Sequence, residues 1–267
     1  MSSVQSQSFE HNPKADQDPH PELLISVRSR DEFAIAVESN VNIVDLKEPR
    51  AGALAPSNRD LWDHAAKTFR ELENPHSILL SAALGEQTIA VRTASQLPLA
   101  FAFAKAGPSG CDSEAQLSNL WRGVRQQLAQ PIELVAVAYA DHANAKCLDA
   151  KSIFRLAKKL GFRRCLIDTF RKDGRSTLDH LGLPGISKLE DFARRSNLWW
   201  AIAGSIKSNC VETLSHSNIH PDCYGVRGDV CDDGRKGTLQ RDRIQTWKQA
   251  LARQSASDLN RRSAGEP

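Results

Sequence analysis

Between two polar ends, the chain alternates short apolar runs with longer stretches whose apolar positions recur every three to four residues. The short runs have strand length and cover residues 23–27, 42–46, 78–82, 99–104, 134–139, 165–168, 199–203 and 223–226. The stretches between them have helical period. Ser29 with Glu32 three residues on has capping-box spacing ahead of residues 33–37. Leu117, Leu120, Trp121, Val124 and Leu128 line one face of a helix over 113–128. Asp149 opens another through Ile153, Leu156, Ala157 and Leu160, with Gly161 to end it, and residues 244–251 form the last. Strands alternating with helices predict βα units around a parallel sheet. Eight units fit an α/β fold of one kind in particular, a single (β/α)8 barrel of the TIM type, which takes about 250 residues. An open doubly wound sheet is the alternative. Its dinucleotide-binding form needs a glycine-rich turn after the first strand, where this chain reads VRSRDE.

The ends break the pattern. Residues 1–22 are rich in Ser, Gln, Asp, Pro and His, and Glu10, Asp16, Asp18 and Glu22 outnumber Lys14. Such a segment cannot bury enough apolar surface to order itself, so 1–22 is predicted to be a disordered tail. The barrel domain is then 23–254, followed by a flexible C-terminal tail over 255–267.

Composition narrows the partners. With 35 basic and 32 acidic residues the net charge is +3, too balanced for a nucleic-acid footprint. The longest apolar runs, 97–104 and 134–140, fall well short of the roughly 20 residues a membrane span needs. Six cysteines without a CxxC pair, behind a polar N-terminus, predict a reduced, cytoplasmic protein. Homo-oligomerisation is left open.

Barrel enzymes collect their reactive groups at the C-terminal ends of the strands. Side chains alternate along a strand, so in NIVDLKEPR the apolar Val44 and Leu46 take one face and Asp45 and Lys47 the other, toward the barrel mouth. In LAFAFAK, Lys105 shares parity with Phe101 and Phe103 and is placed above both rings. CLIDTFRKDG brings Asp168 and Lys172, and AYAD brings Tyr139 and Asp141. A strand-end lysine or aspartate taken singly is an ordinary solvated group or cap, but here three lysines and three aspartates converge on one rim. Crowded lysines have a chemical use. A free amine titrates near 10.4, and partial burial beside another cation lowers it toward the neutral form that attacks a carbonyl. A neighbouring carboxylate can carry the protons. Lys47, with Asp45 and Lys105 near, is therefore a Schiff-base candidate.

The last two strand ends, AGSIK and GVRGD, are glycine-rich. Loops there commonly hold phosphate through backbone N–H groups, so Gly204, Ser205, Arg227 and Gly228 are candidate anion-binding residues, with Lys207 beside them. No GxSxG, HExxH, Walker loop or GxGxxG occurs. Cys210, His216, His220 and Cys223 lack the paired-cysteine half of a zinc site, and Cys223 falls within a strand. No metal and no organic cofactor is expected.

The segments LLISVRSRDEFAIAVESNVNIVDLKEPRAGALA, AVAYAD, CLIDTFRKDGRSTLDHL, AIAGSIK and YGVRGDVC together resemble the (5-formylfuran-3-yl)methyl phosphate synthases, over residues 23 to 239. The resemblance implies a carbon–oxygen lyase acting on phosphates. Such an enzyme joins two molecules of glyceraldehyde 3-phosphate, losing phosphate and water, into the furan aldehyde phosphate used for methanofuran in one-carbon metabolism. It assigns the Schiff base to Lys47 with its aspartate at Asp45, proton transfer to Lys105, and further roles to Asp168 and Lys172. Substrate contacts fall to Gly204, Ser205, Arg227, Gly228 and Asp141, and the partner is a phosphorylated triose. The first 20 or so residues and the FAKAGPSG continuation depart from the family pattern. Two other readings stand beside this one: a class I aldolase or other Schiff-base phosphosugar lyase, and a non-catalytic regulator that binds a phosphorylated metabolite.

Overall fold

The structure, a computed structural model, describes residues 20–72 and 78–263. Most of the predicted N-terminal tail, residues 1–19, lies outside the described residues, as do 264–267. Eight strands, β1 (Glu22–Val27), β2 (Ile43–Leu46), β3 (Leu79–Glu86), β4 (Phe103–Gly107), β5 (Glu133–Tyr139), β6 (Arg164–Asp168), β7 (Trp199–Ile202) and β8 (Cys223–Val226), pair in parallel in chain order and close between β8 and β1. Around them lie α1 (Arg30–Glu38), α2 (Arg59–Glu71), α3 (Gln87–Ala94), α4 (Glu114–Gln127), α5 (His142–Ala145), α6 (Ala150–Lys159), α7 (Thr177–Arg195), α8 (Cys210–His216) and α9 (Arg241–Ser263). The predicted (β/α)8 barrel is the fold. Among the described residues no helix is long and apolar enough to cross a membrane.

Strand parity divides the core into two shells. Leu23, Ile25, Val27, Val44, Leu46, Ala136 and Ala138 face outward and pack with the buried helix stripes, such as Leu61, Trp62, Ala65 and Ala66 of α2. Leu24, Ile43, Val135, Val137, Leu166 and Ala201 fill the barrel interior. Its N-terminal end is plugged by Arg164, whose guanidinium lies 4.8 Å from the Phe103 ring centre and 4.5 Å from that of Trp199.

Four boundaries differ from the sequence reading. Glu22 already pairs with Cys223, so β1 takes one residue assigned to the tail. Helix α9 runs through 255–263, burying Gln254 and Ser255; no glycine or proline interrupts 241–263, so nothing stops the helix at 254. Strand β4 starts at Phe103 because Pro98 begins a turn closed by the Phe101 N–H on its carbonyl. Phe101 therefore leaves the barrel interior and packs edge-on against Trp62, so that of the two rings only Phe103 lies inside the barrel on the strand that carries Lys105. Strand β3 runs to Glu86 through a register shift between Ala83 and Gly85. Such a bulge reverses parity beyond it, and Glu86, which simple alternation would send outward, turns toward Tyr139.

Candidate active site

The mouth of the barrel is built on two lysine–aspartate pairs with a third lysine beside them. Asp45 on β2 and Lys105 on β4 come from alternate strands, and the Lys105 ammonium lies 2.6 Å from the Asp45 carboxylate. Ser26 Oγ donates to the same carboxylate at 3.1 Å, and the Ser81 hydroxyl helps to lower its pKa. Burial alone would raise this carboxyl, but the Lys105 and Lys47 ammoniums outweigh it and hold Asp45 below the usual range. On β6, Asp168 Oδ1 accepts from the Lys172 ammonium at 2.7 Å and from the Thr169 N–H at 2.7 Å, while Lys172 also reaches Thr169 Oγ1 at 3.0 Å. Burial would push Asp168 up, yet Lys172, Lys47 and these hydrogen bonds bring it to about 2.

Lys47 differs from both partners of these pairs. It follows β2 directly, its own N–H bonded to the Val27 carbonyl, and it is only 8% exposed. Its ammonium makes no hydrogen bond or ion pair with another described residue. Burial pushes it down, Asp168 and Asp45 pull it up, Lys172 and Lys105 push it down again, and the balance brings it to about 8. An amine of this kind is half neutral near pH 8, and Asp45 and Asp168 act on it as neighbouring charges that can exchange protons in a reaction.

These groups line a cavity of about 320 Å³ together with the loops after β7 and β8. The anion-binding expectation rests on the backbone of these loops. Gly204 has φ +87°, and a Cβ there would collide with Thr177 Oγ1 and sit 2.8 Å from the Thr169 nitrogen, so only glycine fits. The N–H groups of Ser205, Ile206 and Gly228 are not hydrogen-bonded to other described residues. Asp229 fastens the two loops, accepting from the Ser208 N–H at 3.0 Å and from Trp247 Nε1 at 2.9 Å. These N–H groups suit a phosphate.

Two predicted contacts are corrected. All five N–H donors of Arg227 are spent inside the protein: two on Glu32 (2.5 and 2.9 Å), the others on the carbonyls of Ser26, Gly237 and Arg235. Its guanidinium clamps β8 to α1 and leaves no donor for a ligand. The same pair explains the incomplete capping box: Ser29 caps the Glu32 N–H, but the Glu32 carboxylate serves Arg227 and the Arg28 N–H instead. Asp141 likewise points into the protein, accepting from the N–H groups of Phe170 and Arg171 at 2.6 and 2.9 Å. It anchors the loop that carries Lys172.

The structure also adds residues. Ser26 and Ser81 were available from parity on β1 and β3. Glu86 accepts from Tyr139 Oη at 2.5 Å and from the Ser109 N–H at 2.9 Å. Burial raises its carboxyl despite these bonds, with Asp168 adding to the rise. Gly85 inside a strand was the signal for the bulge that turns it inward. Arg235, from DDGRKG, lines the cavity and donates to the Gly52 carbonyl at 3.1 Å. Cys223 is fully buried in the barrel, and among the described residues no three His, Cys, Asp or Glu side chains are grouped to hold a metal ion.

Residues 23–248 match the model of a family described as 4-HFC-P synthase. The chain is 27% identical over 237 residues to the (5-formylfuran-3-yl)methyl phosphate synthase of Archaeoglobus fulgidus, covering 86% of this chain and 98% of that one. It is 27% identical over 242 residues to the synthase of the same name from Methanopyrus kandleri, covering 87% and 99%. Among solved structures, KGPDC from Streptococcus mutans superimposes with a TM-score of 0.56 at 8% identity, over 88% of this chain and 98% of that one, a likeness of fold.

Proposed function

The chain belongs to the 4-HFC-P synthase family, and on that premise we propose that it condenses two molecules of glyceraldehyde 3-phosphate, through an imine on Lys47, into (5-formylfuran-3-yl)methyl phosphate for a methanofuran-type cofactor. The observation that carries the reading is the lone, buried Lys47 amine, brought to about 8 between two lysine–aspartate pairs.

The chemistry balances without an oxidant: two triose phosphates become one furan aldehyde phosphate, one inorganic phosphate and two waters. One triose first isomerises to its ketone, a proton leaving C2 and another arriving at C1. The neutral Lys47 amine attacks the aldehyde of the other triose, and the carbinolamine loses water to give the imine. The imine draws off the electron pair as C2 gives up a proton, phosphate leaves from C3, and C3 of the resulting enol bonds to the ketone carbonyl of the first triose, which makes the branched skeleton of the product. The ketone's terminal hydroxyl closes the ring on the former C2, two waters leave, and hydrolysis of the imine frees the furan aldehyde from Lys47. The Asp45–Lys105 pair supplies one base and acid beside Lys47, and Asp168–Lys172 supplies a second. The N–H groups at Ser205, Ile206 and Gly228 hold one phosphate.

Borohydride added during turnover of glyceraldehyde 3-phosphate is expected to leave one reduced adduct, located at Lys47 by mass spectrometry and missing from Lys47→Ala. Phosphate release should accompany a furan-type ultraviolet absorbance. An adduct without phosphate or furan would mean an aldolase, and ligand binding with no adduct a regulator; either result would overturn the proposal.

A further inference from the structure

A second cavity, of about 500 Å³, adjoins the first and shares Lys172 and Arg235 with it. Its walls are the loop after β2 (residues 49–53), Phe170 from the loop after β6, and residues 233, 235 and 236 from the loop after β8. Four cationic side chains, Arg50, Lys172, Arg235 and Lys236, line it against a single carboxylate, Asp233. The Arg235 guanidinium, bonded to the Gly52 carbonyl, ties two of the walls together. Arg50 and Lys236 are exposed, and neither forms a side-chain hydrogen bond or ion pair with another described residue. Lys172 is paired with Asp168, which leaves Arg50, Arg235 and Lys236 against Asp233. Holding these like charges together is unfavourable unless an anion joins them, and guanidinium with ammonium suits a phosphate dianion.

The condensation proposed above, on which this inference rests, brings two phosphates to one barrel mouth. The backbone cup at Ser205, Ile206 and Gly228 accounts for one. We infer that the second cavity holds the phosphate of the triose that does not form the imine, with Arg50 and Lys236 as its specificity-determining residues. The placement is chemically consistent, because Lys172 joins the cavity to Asp168 and so to the Lys47 amine. A phosphate seated there leaves the ketone of that triose to accept the enol carbon.

The test uses the full chain carrying Arg50→Gln and Lys236→Gln, singly and together. Imine formation is read with glyceraldehyde 3-phosphate and borohydride, and turnover with dihydroxyacetone phosphate as the partner. The Lys47 adduct should keep its wild-type yield, while the KM for dihydroxyacetone phosphate rises about 10-fold for each substitution and about 100-fold for both. Arg50→Lys should recover most of its share. Unphosphorylated dihydroxyacetone, offered as the partner, should react equally slowly with wild type and variants. An unchanged KM with the adduct intact would overturn the inference while leaving the condensation standing. Parallel loss of adduct and turnover would also overturn it, since the cavity would then serve the imine-forming triose. Failure of wild type to form any Lys47 adduct would remove the condensation and the second phosphate site together.

Discussion

At the N-terminal end of the barrel, Arg164 is stacked between Phe103 and Trp199 with Glu133 3.6 Å from its Nε. At the opposite end stand Lys47, Lys105 and Lys172 among Asp45 and Asp168. The same strands serve both: β4 carries Phe103 below and Lys105 above, and β6 runs from Arg164 to Asp168. What differs is the kind of cation and how it is held, by aromatic rings below and by carboxylates above. A guanidinium keeps its proton and spreads its charge over flat faces that match aromatic rings, so it plugs a barrel as a fixed structural charge. Ammoniums are compact and can be driven to release a proton by burial and by one another. At the mouth two of them are pinned by carboxylates at 2.6 and 2.7 Å, and the third is left without a partner among the described residues. The mechanism proposed above assigns reactivity to the lysine that pairing passed over.

The strongest attempt to break this contrast puts the chemistry of the lower end at the upper one. Lys47→Arg keeps a positive charge but gives a group that does not become a nucleophile, and turnover should fall on the order of 10⁴-fold. No borohydride adduct should form. Steady-state kinetics and intact-mass measurement check both, and an active Lys47→Arg enzyme would end the assignment of Lys47 as the imine lysine.

The next largest effect concerns pairing. Asp45→Asn leaves the buried Lys105 ammonium without its counter-charge, which should lower stability by about 3–5 kcal/mol. Chemical denaturation near pH 7 measures it. Loss of less than about 1 kcal/mol, the range of exposed pairs, would show that water or another acceptor reaches Lys105.

Lys47 itself should destabilise the fold. Its amine drops from the ordinary 10.5 to about 8 on folding. Between these values the unfolded chain binds the extra proton, so stability rises with pH across that window and the full penalty applies below pH 8. At about 1.36 kcal/mol per pH unit the penalty is about 3 kcal/mol. Lys47→Met should therefore be more stable than wild type at pH 7 by about that much, with the gain gone above pH 10.5. Denaturation curves at pH 7 and pH 10.5 test the sign. Adduct formation in wild type should climb through about pH 8. Asp168→Asn should move that limb to lower pH by removing the carboxylate that favours the ammonium, and Lys172→Gln should move it higher.

Much of this arrangement was legible in the sequence because it depends on parity. Asp45, Lys47, Lys105 and Asp168 follow from alternation on short strands whose outer face must meet helices. The glycines after β7 and β8 announced themselves by composition. What escaped depended on interruptions of regular structure. The turn at Pro98 took Phe101 out of the barrel, and the bulge at Gly85 turned Glu86 into it. Long-range partners escaped as well. Nothing local to GVRGD shows that Glu32, 195 residues earlier, consumes the Arg227 guanidinium, or that Asp141 holds the backbone of 170 and 171. A charged residue in a promising loop can be read from sequence; whether its donors remain free cannot.

The smallest expected effect tests the lower end alone. Arg164→Lys preserves the charge near Glu133 but exchanges a flat group, held 4.8 and 4.5 Å from two ring centres, for a compact ammonium. The lost stacking should destabilise the protein by about 1–2 kcal/mol. Turnover per folded molecule and the pH limb near 8 should not move, because Arg164 is not among the groups that set the Lys47 amine. Thermal melts read the first quantity and a pH–rate profile the second. A shifted profile would mean that the two ends of the barrel share one electrostatic network, and the division between a structural cation below and the amines proposed to react above would have to be redrawn.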